Sequence, residues 1–202
     1  MLHATEVITL QGLDTNLLLF INHTMANAAF DILMPALSLK GYLLIIPFIL
    51  AMLARGSVLR GAGGKSFLAT AVWAVLLACL AAYLAGWVED TVKVAVARVR
   101  PCRAIENIRL ILPCPKSYSM PSGHAISSFA FALPLFHLSR GYIVQWARVY
   151  PLVLAAFIAF SRLYLGVHYP TDVLAGALMG SAIGLGLSYG YRLLTAEETR
   201  RS

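Results

Sequence analysis

Five long apolar segments constrain the fold of this chain more than any other feature of its sequence. The longest of them reach the roughly 20 residues that a helix needs to cross a bilayer. None of them alternates apolar and polar residues in the way that transmembrane β-strands do. The segments are Ile32–Leu53, Phe67–Val88, Ala125–Leu138, Val149–Leu165 and Val173–Leu194. They predict an all-α integral membrane bundle of five or six transmembrane helices.

The composition excludes the other broad classes of protein. Hydrophobic residues make up 59% of the chain and charged residues only 12%, whereas soluble domains carry about 25% charged residues. This excludes both an ordinary soluble globule and a disordered chain. The net charge of +7 favours anionic partners, and for a membrane protein these are phospholipid head groups or phosphate substrates. No nucleic-acid partner is expected, and the composition leaves the oligomeric state open.

The N-terminal region differs from the rest of the chain. Polar residues such as Asp14, Asn22 and His23 interrupt its apolar stretch, so we predict an interfacial helix region over residues 1–30. A sixth transmembrane span is the alternative. Residues 31–195 are predicted to form one membrane-embedded domain, followed by a tail at residues 196–202.

The first group of candidate functional residues follows the second apolar segment. Lys93 and Arg100 lie seven residues apart, so both side chains should point the same way if the helix continues through them. Pro101 predicts a break or a turn, because proline disrupts a helix interior. Glu89 and Asp90 precede Lys93 at helical spacing, and we interpret them as charge partners of that turn.

An anion-binding helix start is predicted immediately before the third apolar segment. Pro121 and Gly123 favour a turn, and Ser122 and Gly123 offer backbone N–H groups where the helix begins. These donors have no intrahelical acceptors, and the helix dipole favours negative charge beside them. His124 follows directly, so an imidazole is expected beside the anion.

The third group lies between the fourth and fifth apolar segments. His168 and Asp172 are four residues apart, the spacing at which a carboxylate can reach an imidazole on a helical turn. Pro170 suits the first position of the last helix, and Arg162 adds a third cation. Each group alone is a weak signal, but all three are expected on one membrane face, which we call the site face.

These residues resemble a known family. The three groups are similar to the signature motifs of the type 2 phosphatidic acid phosphatase (PAP2) superfamily, with every signature position present. The matching motifs are Lys93-x6-Arg100-Pro101, Pro121-Ser122-Gly123-His124 and Ser161-Arg162-x5-His168-x3-Asp172. The number of apolar segments favours the small bacterial membrane phosphatases of this superfamily over its haloperoxidases and soluble acid phosphatases.

The resemblance implies a phosphatase that uses neither a metal nor a cofactor. Cations and amide donors can stabilise the charge on a transferring phosphoryl group. The implied phosphate-binding residues are Lys93, Arg100, Ser122, Gly123 and Arg162. His168 would be the nucleophile that forms a phosphohistidine, and Asp172 would orient it. His124 would protonate the leaving oxygen and then activate water.

The resemblance leaves the substrate open. Undecaprenyl pyrophosphate is our first choice, followed closely by the 1-phosphate of lipid A, with phosphatidylglycerophosphate and phosphatidic acid as further candidates. A lipid phosphotransferase would use the same covalent intermediate. A phospholipid-binding scaffold or transporter is the non-enzymatic alternative, and it would need the cations but not the histidines.

The orientation of the chain is an expectation of the same kind. Lys and Arg are nearly equally divided between the two faces, so the positive-inside rule alone does not decide. Because several cations of the site face are assigned to phosphate, we expect that face to lie outside a bacterial cytoplasmic membrane. Cys102 and Cys114 would then either form a disulfide or remain separate thiols. Arg98 and Arg109 would bind a second phosphate or meet lipid phosphates at the surface.

Overall fold

The fold is a bundle of helices, as the apolar segments predict. The computed structural model describes residues 10–58, 62–140 and 143–201, and all of their regular structure is helical. A π-helix, Phe20–Thr24, and a 3₁₀-helix, Gly41–Ile45, interrupt the α-helical order. The α-helices are α1 (Leu10–Leu19), α2 (Ala28–Lys40), α3 (Ile46–Val58), α4 (Ala62–Val96), α5 (Pro101–Ala104), α6 (Gly123–Leu138), α7 (Gln145–Arg148), α8 (Tyr150–Tyr164) and α9 (Pro170–Arg201).

Among the described residues, four helical stretches are long and apolar enough to cross a membrane. They are Ala28–Arg55, Leu68–Ala104, Gln145–Tyr164 and Pro170–Ala196. The third apolar segment, Ala125–Leu138, lies in α6, a helix of 16 residues. Large apolar side chains on the outer faces are exposed, including Leu76, Trp87 and Leu178. This arrangement supports the prediction of a membrane protein, because such side chains are suited to lipid.

Helix α6 occupies the centre of the bundle and packs against α4, α8 and α9. Its contact with α4 is lined by small residues, since Ala81 and Ala85 of α4 meet Ile126 and Ala130 of α6 in one buried cluster. Small side chains let helix backbones approach closely, which is a common mode of packing in membranes. The central position of α6 brings its first turn into the interior of the site.

Glycines bring α9 against the backbone of α6. A Cβ atom added at Gly180 would lie 2.1 Å from the Ile126 carbonyl oxygen, and one at Gly176 would lie 2.7 Å from that of Ser122. Gly176 and Gly180 therefore serve packing within the chain. Gly186, by contrast, faces open space.

The N-terminal region is built into the bundle. Leu18 of α1 is fully buried, and so is Asn22 of the π-helix. The Asn22 amide donates hydrogen bonds to the carbonyl oxygens of Tyr164 and Arg109, at 2.8 and 2.9 Å. Residues 1–9 of the predicted interfacial region lie outside the described residues, and the interfacial placement stays a prediction. At the other end of the chain, α9 continues to Arg201.

The long connection between α4 and α6 folds over the site face. Cys102 and Cys114 are joined by a disulfide with a Cα–Cα distance of 6.0 Å. The guanidinium group of Arg109 donates to Asp31 of α2 at 2.8 Å. These contacts fasten the connection to itself and to α2. Arg109 therefore has an internal partner, which corrects the expectation that it meets only phosphates.

Candidate active site

Arg100 and Lys93 reach the site from different elements. Helix α4 ends at Val96, and Arg100 caps the start of α5 in an extended conformation. The helix therefore does not continue through both cations, so the condition under which they would share one helix face is not met. The chain turns at Ala97, whose φ is +48°, and Pro101 then opens the next helix, because its fixed φ suits a first helical position.

Four hydrogen bonds fix the Arg100 guanidinium. Nε donates to the Ser117 carbonyl oxygen at 2.8 Å, and Nη2 donates to the Ser117 hydroxyl at 2.9 Å. Nη1 donates to the Val167 carbonyl oxygen and to Nε2 of His168, both at 2.9 Å. Because a guanidinium can only donate, Nε2 of His168 is the unprotonated nitrogen of the imidazole.

His168 lies between α8 and α9 with its ring almost completely buried. Its Nδ1 atom is 3.5 Å from Oδ2 of Asp172, in the first turn of α9. Burial, together with the charges of Arg100 and Arg162, lowers the pKa of the His168 imidazole to about 4, against the opposing effect of Asp172. The imidazole is therefore neutral near pH 7, with a lone pair on Nε2.

The Asp172 carboxylate is held by partners other than the histidine. Its Oδ2 atom accepts a hydrogen bond from the Ser119 hydroxyl at 2.5 Å and one from the Tyr169 backbone N–H at 2.8 Å. Its Oδ1 atom accepts from Arg98 at 2.6 Å. These donors fix the carboxylate and stabilise its ionised form. Arg98 has this internal role, which corrects the expectation that it faces phosphate.

The start of α6 brings the second motif to the same place. Ser122 caps the helix, and its backbone N–H donates to the Asp172 carbonyl oxygen at 3.0 Å. Nε2 of His124 donates to the Ser38 carbonyl oxygen at 3.1 Å. The first N–H groups of α6 have no intrahelical acceptors and can receive an anion.

Arg162 enters from the end of α8. Its Nη1 donates to the Ser38 hydroxyl. Among the described residues, Nε of Arg162 and the hydroxyl of Ser122 are buried donors without a hydrogen-bond partner. Buried polar groups are rarely left unpaired, so these two donors fit a bound oxyanion.

Glu89 is the carboxylate nearest to the helix start. It forms a salt bridge with Lys93, as its spacing predicts. A Cβ atom added at Gly123 would lie 2.2 Å from Oε1 of Glu89, so only glycine leaves room for this carboxylate. Glu89 thus brings negative charge to the helix terminus at which an anion is expected.

A mostly apolar cavity of about 650 Å³ borders the site. Its polar end contains Ser38, Glu89, Gly123 and His124, and it continues between α2, α4, α6 and α8 among apolar side chains. The remaining lining residues include Leu37, Tyr42, Ile45, Ala82, Phe131, Leu154 and Ile158. Neither His168 nor Arg100, both of which are buried, is among the residues that line the cavity.

The structure brings the predicted site residues together, with several that the motifs did not indicate. Ser38 contacts both His124 and Arg162, and Ser117 and Ser119 hold Arg100 and Asp172. Ser38 had one signal in the sequence, since it is a polar residue within an apolar segment. The two serines of the connection had none, because loop serines are common.

Two known proteins are similar to this chain in sequence. An undecaprenyl-diphosphatase from Sulfolobus acidocaldarius is 37% identical over 91 residues, which cover 45% of this chain and 42% of that protein. A decaprenylphosphoryl-5-phosphoribose phosphatase from Mycobacterium tuberculosis is 36% identical over 109 residues, covering 54% of this chain and 56% of that protein. The chain thus matches about half the length of these relatives.

A solved structure shares the fold. The transmembrane PAP2-type phosphatidylglycerolphosphate phosphatase from Bacillus subtilis superimposes with a TM-score of 0.65 at 21% identity, over 94% of this chain and 88% of that one. The family model of the PAP2 superfamily matches residues 71–195, which contain all three motifs. With its motif residues gathered around one buried histidine, this chain belongs to the PAP2 superfamily.

Proposed function

We propose that this protein is a lipid phosphatase that hydrolyses a phosphate monoester or pyrophosphate through a phosphohistidine on His168. One juxtaposition carries the proposal: an apolar cavity of about 650 Å³ ends at Ser38 and Glu89, and these two residues contact the buried cations Arg162 and Lys93 of the site that contains His168. A phosphate with an apolar tail suits both environments. The phosphate would bind Lys93, Arg100 and Arg162, and the tail would lie in the cavity.

The proposed reaction has two steps. Nε2 of His168 attacks phosphorus, the bond from phosphorus to the lipid oxygen breaks, and His124 gives that oxygen a proton. Water then attacks the phosphohistidine, His124 takes a proton from this water, and the bond from phosphorus to nitrogen breaks. Phosphate leaves and both histidines return to their starting states, so the cycle consumes one water.

The protein supplies the electrostatic stabilisation for these steps. Lys93, Arg100 and Arg162 neutralise the charge on the equatorial oxygens, and the Ser122 hydroxyl and the Gly123 N–H donate to the same group. Asp172 faces Nδ1 of His168 and stabilises the imidazolium-like charge that develops on attack. Because these groups supply the positive charge, we expect full turnover in the presence of a chelator.

The substrate that we favour is undecaprenyl pyrophosphate. The two relatives named above carry names that refer to polyprenyl-linked phosphates, and the mostly apolar lining of the cavity suits a polyprenyl chain. The 1-phosphate of lipid A is the nearest alternative, followed by phosphatidylglycerophosphate and phosphatidic acid. Phosphate release from these four lipids, measured with the purified protein in detergent, ranks them by kcat/KM.

The cellular setting is part of the proposal. We propose a multi-pass protein of a bacterial cytoplasmic membrane, with the site face toward the exterior. A disulfide between Cys102 and Cys114 on that face supports this orientation, because disulfides persist in oxidising compartments. The lipid substrate would then be drawn from the outer leaflet.

The decisive experiment compares two histidine variants with a matched control. His168→Ala should lose more than about 10³-fold in kcat, and His124→Ala about 10²–10⁴-fold, while both variants still bind the lipid. His23→Ala is the control, since His23 is exposed on the π-helix. Orthovanadate, which mimics the five-coordinate phosphorus of the transition state, should inhibit competitively.

Three outcomes would contradict or redirect the proposal. Normal phosphate release by both His168→Ala and His124→Ala would overturn the mechanism. Lipid binding or movement without phosphate release by the wild-type protein would favour a scaffold or a transporter. Transfer of the phosphoryl group to an added lipid or sugar hydroxyl would identify a phosphotransferase.

A further inference from the structure

A buried aspartate of the first helix lies in the surroundings of the site. Asp14 of α1 is 4% exposed. Its carboxylate accepts hydrogen bonds from the backbone N–H and the hydroxyl of Thr171, at 2.9 and 2.5 Å. It also accepts from Nη2 of Arg98 at 2.6 Å. Three donors thus satisfy the Asp14 carboxylate. Asp14 lies far before the first motif in the sequence.

Arg98 connects this carboxylate to the site. Its Nη2 atom donates to Asp14, and its Nη1 atom donates to Oδ1 of Asp172 at 2.6 Å. The guanidinium carbon lies 4.0 Å from the centre of the Tyr169 ring. A planar guanidinium can join two carboxylates in this way, whereas a lysine ammonium offers no such fork.

The charges explain why a second carboxylate is needed. If Arg98 faced Asp172 alone, the pair would be neutral, and little negative charge would remain for the imidazolium of His168. With Asp14 on the far side, two carboxylates share one guanidinium. The cluster of Asp14, Arg98 and Asp172 then keeps a net negative charge, and Arg98 is held in a fixed position.

We propose that Asp14, acting through Arg98, is a positioning residue that keeps Asp172 oriented and negatively charged toward His168. The inference rests on the proposed function, because it concerns the same nucleophile. The family match begins at residue 71 and therefore does not include Asp14. The first helix would thus contribute to catalysis without touching the substrate.

The substitution Asp14→Asn tests this inference, because it removes the charge and keeps the shape. We expect kcat to fall about tenfold, a coupling within the usual range for one hydrogen-bonded network. KM should change less than about twofold, because Lys93, Arg100 and Arg162 remain in place. Glu106→Gln is the matched control, since it removes an exposed carboxylate from the connection between α4 and α6.

A second readout separates positioning from a merely structural role. Charged groups face His168 from three elements: Asp172 from α9, Arg162 from α8 and Arg100 from the connection before α5. Removing the Asp14 charge makes the cluster of Asp14, Arg98 and Asp172 less negative, which lowers the pKa of His168. The fall of kcat on the acid side of the pH profile should therefore move to lower pH. Nitrogen NMR should show the His168 titration midpoint moving in the same direction.

A double variant tests the route through Arg98. Asp14→Asn should have little further effect on kcat once Arg98 is changed to Gln, because the guanidinium that transmits its charge is gone. If Asp14→Asn does not accumulate, Arg98→Lys replaces it. This variant keeps the charge but cannot hold both carboxylates, and it should show a similar loss of kcat with KM nearly unchanged.

The outcomes distinguish failure of this inference from failure of the proposed function. Wild-type kcat and an unchanged His168 titration midpoint in Asp14→Asn would overturn the inference. So would a further loss of about tenfold in kcat when Asp14→Asn is added to Arg98→Gln. If His168→Ala is inactive at the same time, the proposed function stands. If the wild-type protein releases no phosphate from any lipid, the proposed function fails, and the NMR midpoint still decides whether Asp14 acts on His168.

Discussion

Arg100 donates from Nη1 to Nε2 of His168 across 2.9 Å, so the guanidinium engages the lone pair that attacks phosphorus in the proposed reaction. A phosphoryl oxygen is a stronger acceptor for a guanidinium than a neutral imidazole. Binding of the substrate would therefore transfer this donor from the histidine to the phosphate and release the nucleophile. Arg100 would thus bind the phosphate first, and His168 would attack phosphorus afterwards.

The first prediction concerns the protonation of His168. Its pKa of about 4 means that the free protein keeps a neutral imidazole from pH 8 down to about pH 5. The ring should gain its proton only as the pH falls through about 4. Nitrogen NMR of histidine-labelled protein in detergent, assigned with His168→Gln, measures this midpoint. A midpoint at pH 6 or above would contradict the burial that we describe.

The second prediction concerns the geometry of Arg100. Arg100→Lys keeps the positive charge but loses the fork that contacts Ser117 and His168 together. We expect kcat to fall about 10²–10³-fold, as when one preorganised donor of a transition-state site is removed. Ser117→Ala is the milder companion, because it removes one of the four hydrogen bonds. Equal activity of Arg100→Lys and the wild type would show that charge alone suffices.

The third prediction concerns the contact of α9 with α6. Gly180→Ala places a methyl group against the Ile126 carbonyl oxygen, and overpacking of this kind costs about 1–3 kcal/mol. Gly186→Ala is the control, since its Cβ atom would enter open space. Thermal unfolding in detergent should show a lower Tm for Gly180→Ala only. Equal Tm values for the two variants would contradict the close approach of these helices.

The fourth prediction concerns the orientation in the membrane. In intact cells of a Cys79→Ser background, a membrane-impermeant maleimide should label Cys102 and Cys114 only after treatment with an impermeant reductant. The bridge protects the thiols before reduction, and the proposed exterior position makes them accessible afterwards. Labelling that requires cell lysis would place the site face in the cytoplasm.

Much of the bundle could be predicted from the sequence, because membrane spans have a strong and local signal. The apolar segments predict the helices of the core. The course of the chain after Lys93 was less predictable. A seven-residue spacing fits one helix face, but the turn at Ala97 ends α4 before Arg100.

The site was predictable where chemistry follows a motif and less so where it depends on tertiary contacts. His168 and Asp172 lie in one short stretch, so their pairing has a signal in their spacing. From the sequence alone Arg98 is expected to contact phosphate, because its partner Asp14 lies 84 positions earlier in the chain. Contacts of this separation leave no periodic pattern in a single sequence.

Asp14, which holds Arg98, and Ser38, which holds His124 and Arg162, both precede the segment that matches the family. A transplant of residues 71–195 into another scaffold would carry every signature residue and still leave Arg98, His124 and Arg162 without these anchors. Redesign of this site must therefore start from the whole chain, because the first two helices supply part of the framework on which its chemistry depends.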